Sequence, residues 1–473
     1  PKQWANPKVM DSQSTVRSDV SPWDSRFPDR LAEPLHQALA RRSDHAFFSF
    51  TLPATAGLPV LADVADDCLY TALPGRGEYH IGLDTAHEWT EAGPGRLARL
   101  GHQARTLASH WSEERVVPEL SSGRQAFVGY AFHPDDDSGP LPNSLLRVPR
   151  LLYRRRGGNA TLTFNAAPGE PATAAVDAAL AAAGRLTECL GEKATPARRP
   201  ISVDRNHRGD RWIRQVRKAL ASIEGGELEK VVLTRRLAGR LNRRPQLGQA
   251  LAAVAGDYPG CAQIMVSRGE ARFVAISPER LVRVTGSTVT CDGLAGTAPR
   301  APESGADRGL GLALLVDPKS RREHAVVVRE IRRELARLGV STVAAPEPEL
   351  LRLPSVQHLW TRVHGTRPPA VSVLDLAAGL HPTPAVGGTP RQEALDWLAR
   401  HGEARRGWYT GGAGWVSASG EGTIWVLLRC ATCRGVKAEL HAGAGIVASS
   451  DPNWELGETG WKLAPMLEVL ALA

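Results

Sequence analysis

The stretch WIRQVRKALASIEGGELEKVVL, residues 212–233, contains two kinds of secondary structure in sequence. Trp212, Val216, Leu220 and Ile223 recur at helical spacing, which predicts an amphipathic helix, and Gly225-Gly226 ends it. Lys230 to Leu233 then reads as a strand. The alternation continues outward. Pro318 opens a longer predicted helix, 319–338, with Val326, Val327, Ile331 and Leu335 on one side. Residues 424–428 are five apolar residues in a row, a strand buried on both faces, which Arg429 ends and Cys430 continues. Upstream, 46–51, 126–131, 151–153 and 160–164 read as strands between turn residues, and the Ala-rich 172–190 as a helix. Residues 191–206 are polar with two prolines and read as a linker. Residues 1–30 read as a polar lead-in, with Met10 a candidate natural start. Helices and strands mix throughout, so the class is α/β or α+β, divided as 1–30, 31–200 and 201–473.

The chain has 473 residues with 58 basic and 50 acidic side chains, net +8. Residues 1–200 hold 22 basic and 23 acidic side chains, and residues 201–473 hold 36 and 27, so the excess lies wholly in the second part. A nucleic-acid footprint would mix such charge with exposed aromatics. Aromatics are only 5%, and the basic residues read as solvated faces, so no nucleic-acid partner is expected. No stretch approaches the roughly 18 apolar residues of a membrane span, and PKQWANPKVM lacks an apolar signal core. Six cysteines in this length exclude a disulfide scaffold. The expectation is a cytoplasmic protein with no membrane partner.

Several constellations could carry chemistry. Cys430 and Cys433 form a CxxC with no second pair at zinc spacing, and read as structural thiols. Residues 135–140 form an acidic surface loop too short for an EF-hand. Glu323 lies on the long helix, and Glu455 and Glu458 are three apart on one face of a predicted short helix. Hard oxygen ligands of this kind suit Mg²⁺, although glutamates alone also make ordinary solvated faces. Gly443-Ala444-Gly445 interrupts an extended segment where a ligand could approach the backbone closely. Glu279 follows the apolar run 273–276; an apolar setting would raise its pKa and make it an acid, whereas in isolation it would be a turn cap. There is no GxSxG elbow, P-loop or dinucleotide fingerprint.

Read in order, the motifs are Lys230-Val231-Val232-Leu233-Thr234-Arg235, Ser277-Pro278-Glu279-Arg280-Leu281, Leu294-Ala295-Gly296-Thr297-Ala298-Pro299-Arg300, Glu323-His324, Val356-Gln357-His358-Leu359, the run 380–388, Arg406-Gly407-Trp408-Tyr409, Arg429-Cys430, Gly443 to Val447, and Glu455 to Lys462. This series resembles the chorismate-utilising enzymes: isochorismate synthases, salicylate synthases, and the large subunits of anthranilate and aminodeoxychorismate synthases. The match runs from about residue 205 to 470. The resemblance implies an anthranilate synthase component I-like fold, in which a large two-layered sheet core carries helices outside. It also implies chorismate as substrate and Mg²⁺ as cofactor. Residues 31–200 would be the variable portion of the same large domain.

By the same resemblance, amine-transferring members lack a lysine at the position of Lys230, so Lys230 points to water addition and an isochorismate product. Lys230 is then the base, its pKa lowered by burial or by Arg235, and Glu279 the acid. Glu323 and Glu458 would hold Mg²⁺, with Glu455 in or behind them. Arg429 would grip the enolpyruvyl carboxylate bidentately, helped by Tyr409 and the Gly443 backbone, with Lys462 facing the same site. Gly296 and Thr297 would line the ring carboxylate, with His358 beside them. Ala385 stands where pyruvate-eliminating relatives often carry a hydroxylated residue, which favours isochorismate synthase and leaves salicylate synthase as the alternative. Anthranilate-type chemistry would need ammonia or a glutaminase subunit, and neither is expected; the chain is expected to be a monomer. Ser320, one turn before Glu323, departs from the acidic residue of many relatives and is expected to weaken Mg²⁺ binding.

Overall fold

A computed structural model describes residues 27–43, 45–54, 66–137, 139–188, 198–199, 201–203, 209–403 and 405–473. Its centre is the strand Ser144–Arg156, which the sequence reading shortens to three residues. All along one side it pairs with the strand Glu78–Glu91. On the other side its first residues pair with Gln125–Tyr130 and its last with Asn159–Ala166. Two wings of sheet therefore spread from one strand.

The first wing continues through Asp67–Leu73, Ala262–Arg268, Ala271–Ser277, Cys430–Arg434 and Lys437–Ile446 to Lys230–Arg240. The second runs from Gln125–Tyr130 through Gly412–Ser417, Gly422–Val426, Arg280–Thr285 and Thr288–Pro299 to Val356–Thr366. Among the described residues one strand pair is parallel, Phe47–Ala54 with Trp111–Arg115. The expected α/β or α+β class thus resolves to a mixed fold dominated by antiparallel sheet.

Leu69, Phe127, Ile264, Phe273, Trp415 and Leu427 pack between the wings, which makes the two layers. Burying each such side chain contributes roughly 1.5–3 kcal/mol. The helices Phe27–Ala40, Ala172–Glu188, Leu247–Ala253 and Pro452–Leu472 cover the outside of the first wing. The helices Arg96–Ser109, Pro318–Arg337 and Val373–Leu380 cover the second. Both layers of the expected architecture are present, but they form one continuous hydrogen-bonded network through Ser144–Arg156.

The chain crosses between layers at two adjacent places, and here the structure corrects the sequence reading. The strand predicted over 424–428 ends at Val426, and Cys430 begins a new strand in the other wing rather than continuing the first. Arg429 sits in the connection with φ +48, in the left-handed region. An apolar run signals burial but not a layer change, so periodicity could not place this break. The second crossing is Pro278-Glu279, between Ala271–Ser277 and Arg280–Thr285. The two crossings are tied together: Val426 N–H donates to Glu279 O, and Ile276 N–H donates to Arg429 O.

Other differences are local. The lead-in placed at 1–30 turns helical at Phe27, and its first 26 residues lie outside the described residues. Most of the 191–206 linker also lies outside them, but Ser202–Val203 pairs with Lys230–Arg240. The acidic loop is not all surface: Asp136 is buried and accepts from Gly407 N–H. The short helix predicted for Glu455 and Glu458 is the 21-residue Pro452–Leu472. The described cysteines are buried free thiols, as expected of a structural CxxC.

Candidate active site

Two helices that carry acidic residues into the site begin alike. Asp317 caps the helix Pro318–Arg337, accepting from Ser320 N–H, and Asp451 caps Pro452–Leu472, accepting from Asn453 and Trp454 N–H. Each helix has proline at its first position, where no N–H is needed. This Asp-Pro start fixes the register from which Glu323, Glu455 and Glu458 project. The helices meet at a cavity of about 740 Å³ between the wings.

Twelve of the thirteen residues singled out from the sequence line that cavity: Glu279, Gly296, Thr297, Glu323, His358, Ala385, Tyr409, Arg429, Gly443, Glu455, Glu458 and Lys462. Lys230 does not. It is 2% exposed and lies behind the wall, its Nζ 2.7 Å from Glu323 Oε1. Gly445 forms the wall between them: a Cβ there would stand 2.7 Å from Lys230 Cε and 2.8 Å from Glu323 Oε1. The missing side chain leaves room for the Lys230–Glu323 contact at the edge of the cavity.

The expected neighbour of Lys230 was Arg235, and that expectation is corrected. Five residues along a strand put Arg235 on the opposite face, where its guanidinium donates to Thr459 Oγ1. The group Lys230 meets is a carboxylate. Burial works to raise the Glu323 carboxyl, but the charge and hydrogen bond of Lys230 outweigh it and hold Glu323 below its usual value.

Glu279 behaves in the opposite way. Burial, with the Asp292 carboxylate adding to it, pushes its pKa up to about 8 against the pull of Lys230, Arg429 and Lys462. At neutral pH it is a protonated acid on the cavity wall.

Arg429 donates from Nη2 to His358 Nε2 at 2.9 Å. Since guanidinium only donates, His358 carries its proton on Nδ1, which faces Gly296 O and Thr297 Oγ1, both at 3.2 Å. Burial and then Arg429 hold His358 well below its ordinary pKa, so it is neutral. Gly296, with φ +74, is the extra residue of a bulge between Ala295 and Thr297. The Nη1 of Arg429 is buried without a partner. A buried unpaired guanidinium nitrogen is costly, and an anion entering the cavity would satisfy it. Tyr409 stacks on His441 at 5.2 Å and stands over Gly443, where a Cβ would meet its hydroxyl at 2.9 Å.

The three carboxylates proposed for a cation share the cavity, but each has a lysine: Glu323 with Lys230, Glu455 with Lys319 at 3.1 Å, and Glu458 with Lys462 at 2.6 Å. Among the described residues no three acidic, histidine or cysteine groups already form a ligand sphere. The donor set still fits a hard cation. Burial and the neighbouring Glu458 charge raise Glu455, and a cation would relieve both.

Two supporting residues escaped the sequence reading. Lys319 lines the cavity; its position after Asp317-Pro318 was the available signal. Buried Arg406 donates to Val386 O and Val232 O, tying the Ala385 turn to the Lys230 strand. It stood in a quoted motif without a role.

Comparison with known proteins gives the family. The family described as "Chorismate binding enzyme" matches residues 35–471. The chain is 36% identical over 418 residues to the salicylate biosynthesis isochorismate synthase of Pseudomonas aeruginosa, covering 85% of each protein. It is 32% identical over 372 residues to isochorismate synthase MenF of Bacillus subtilis, covering 77% of this chain and 78% of that one. Among solved structures, the menaquinone-specific isochorismate synthase MenF of Escherichia coli superposes with a TM-score of 0.77 at 26% identity, covering 93% of this chain and 99% of that one.

Proposed function

The chain belongs to the chorismate-binding enzyme family, and from that membership and the cavity we infer that it is an isochorismate synthase, an isomerase that converts chorismate to isochorismate. Water adds at C2, the ring double bonds shift and the C4 hydroxyl leaves. The observation that carries the chemistry is Glu279, a carboxyl kept protonated to about pH 8 on the wall of the cavity that Lys230 approaches from behind.

Glu279 gives its proton to the departing C4 oxygen, which leaves as water. Lys230 rests as the ammonium paired with Glu323; in its deprotonated, amine form it takes the proton of the attacking water at the edge of the cavity beside Gly445. Both protons return by exchange with solvent, so the net change is isomerisation. The unpaired Nη1 of Arg429, beside Tyr409, takes one carboxylate of the substrate, and His358 holds the guanidinium in place by accepting from Nη2. Gly296 and Thr297 line the ring-carboxylate side, and Ala385 the remaining wall. Glu323, Glu455 and Glu458 would hold Mg²⁺, which supplies a Lewis acid for the ring carboxylate. The reaction uses no ammonia, so no glutaminase subunit is required. The working form is proposed as a monomeric, single-domain cytoplasmic enzyme; among the described residues no helix is long and apolar enough to cross a membrane.

Incubating the protein with chorismate and Mg²⁺ tests the assignment. Isochorismate is expected to accumulate without pyruvate; stoichiometric pyruvate with salicylate would make it a salicylate synthase instead.

Gly445→Ala gives a second expected result. A Cβ would force Lys230 and Glu323 apart, and misplacing reacting groups by about 1 Å costs on the order of 10²-fold. Turnover is expected to drop by about that much in a protein whose thermal unfolding stays cooperative. Unchanged turnover would show that the Lys230–Glu323 contact is irrelevant to catalysis.

A further inference from the structure

Of the three lysines that answer the cavity's carboxylates, Lys230 and Lys462 belong to the proposed catalytic and binding groups, and Lys319 has no assigned role. We propose that Lys319 is an internal counter-ion that holds Glu455 in the cation-free enzyme and competes with a divalent cation for that carboxylate, thereby setting how tightly the site binds metal. This rests on the reading of Glu455 as a cation ligand.

The geometry brings the pair together from two rigid helix starts. Lys319 is the second residue of Pro318–Arg337, and Glu455 lies in the first turn of Pro452–Leu472; both helices are anchored by an Asp cap and a first-position proline. Lys319 Nζ stands 3.1 Å from Glu455 Oε1.

The two partners are not equivalent. The Glu455 side chain is 2% exposed, the Lys319 side chain 28%. Glu455 therefore cannot turn to water, whereas the lysine reaches in from the solvent side on a flexible stem and can withdraw. Glu455 also lies in the same turn as Glu458, and two buried carboxylates left uncompensated would be strongly unfavourable. An ammonium satisfies that need without metal.

Mg²⁺ binds carboxylate oxygen at about 2.0–2.1 Å in near-ideal octahedral geometry. An ammonium hydrogen-bonded to the same carboxylate repels it and blocks part of its coordination shell. Of the neighbouring residues, Ser320 carries no charge and Arg321 pairs with Glu347; Asp317, engaged in capping, and Glu323 also feel the Lys319 charge, but the hydrogen-bonded ion pair of Lys319 is with Glu455. Ser320 adds no carboxylate of its own to compete with Glu455 for the Lys319 ammonium.

The test is Mn²⁺ binding to the full chain without chorismate, followed by electron paramagnetic resonance, for wild type, Lys319→Met, Lys319→Gln, Lys319→Arg and Glu455→Gln. Removing the competing charge should tighten Mn²⁺ by roughly five- to tenfold in the Met and Gln variants, while Arg stays near wild type. The Met variant should melt at lower temperature than wild type without metal and together with it in saturating Mn²⁺. Unchanged or weaker Mn²⁺ binding in both neutral variants overturns the proposal. So does a raised chorismate KM at unchanged Mn²⁺ affinity, which would make Lys319 a substrate contact.

If wild type binds Mn²⁺ and Glu455→Gln weakens it while the Lys319 variants do not tighten it, the counter-ion role alone fails. If wild type binds no Mn²⁺, the metal reading fails and takes the proposal with it. Should the variants misfold, acylation of Lys319 in wild type, read by mass spectrometry, gives the same answer: labelling should accelerate on adding Mn²⁺, and unchanged or slower labelling contradicts release of the lysine.

Discussion

Glu279→Gln is expected to lower turnover of chorismate by roughly 10²–10⁴-fold, the usual contribution of a positioned general acid, with chorismate binding little changed. Glutamine matches glutamic acid in shape and remains neutral, so the substitution removes the transferable proton and little else. The wild-type enzyme should show the same dependence through pH. Glu279 is raised to about 8 by burial and Asp292, so the active, protonated form dominates below that pH and is lost above it. The rate under saturating substrate should therefore fall about tenfold per pH unit above about 8, and this limb should vanish in the residual activity of the variant. A variant that keeps near wild-type turnover, or the same alkaline limb, would remove Glu279 from the mechanism.

Lys230→Gln is expected to have an effect of the same size, roughly 10²–10⁴-fold, by a different route. Glutamine can still donate to Glu323, so the carboxylate keeps a hydrogen bond, but no amine remains to accept a proton from water. Chorismate affinity, measured by quenching of intrinsic fluorescence, should stay within about twofold, because Lys230 lies behind the cavity wall. Loss of water addition with binding intact supports the base; near wild-type turnover would sink it. A large loss of binding would instead make Lys230 a structural support for Glu323.

The sequence made the acid easier to recognise than the base's surroundings. Glu279 follows an apolar strand and a proline, so its burial and raised pKa could be anticipated from adjacent residues. Lys230 meets Glu323 from 93 positions away, and no local pattern reports such a contact; strand alternation alone would have excluded Arg235, which the sequence reading wrongly takes as its neighbour. Arg429 is expected from the sequence as a substrate ligand at the end of a strand, but it lies in a layer crossing; a positive φ there leaves no trace in an apolar run. The two Asp-Pro helix starts were legible and would have corrected the length assigned to the last helix and drawn attention to Lys319. The strand Glu78–Glu91 went unread because only three of its residues are fully buried and its polar side chains mask the alternation.

The architecture explains why so few residues concentrate the chemistry. The chain changes layer at Pro278-Glu279 and again between Val426 and Cys430, and backbone hydrogen bonds lock the two crossings side by side. Residues at such crossings leave the regular ladder and can face the space between layers. Glu279 and Arg429 occupy these positions, and the helices bearing the three glutamates close the space from outside.

The most direct test of the central claim is to run the reaction in H₂¹⁸O and examine the product by mass spectrometry. Addition of solvent water at C2 with loss of the C4 hydroxyl predicts isochorismate carrying one ¹⁸O atom, located on C2, and no pyruvate. Isochorismate without ¹⁸O would contradict attack by water and with it the assigned roles of Lys230 and Glu279.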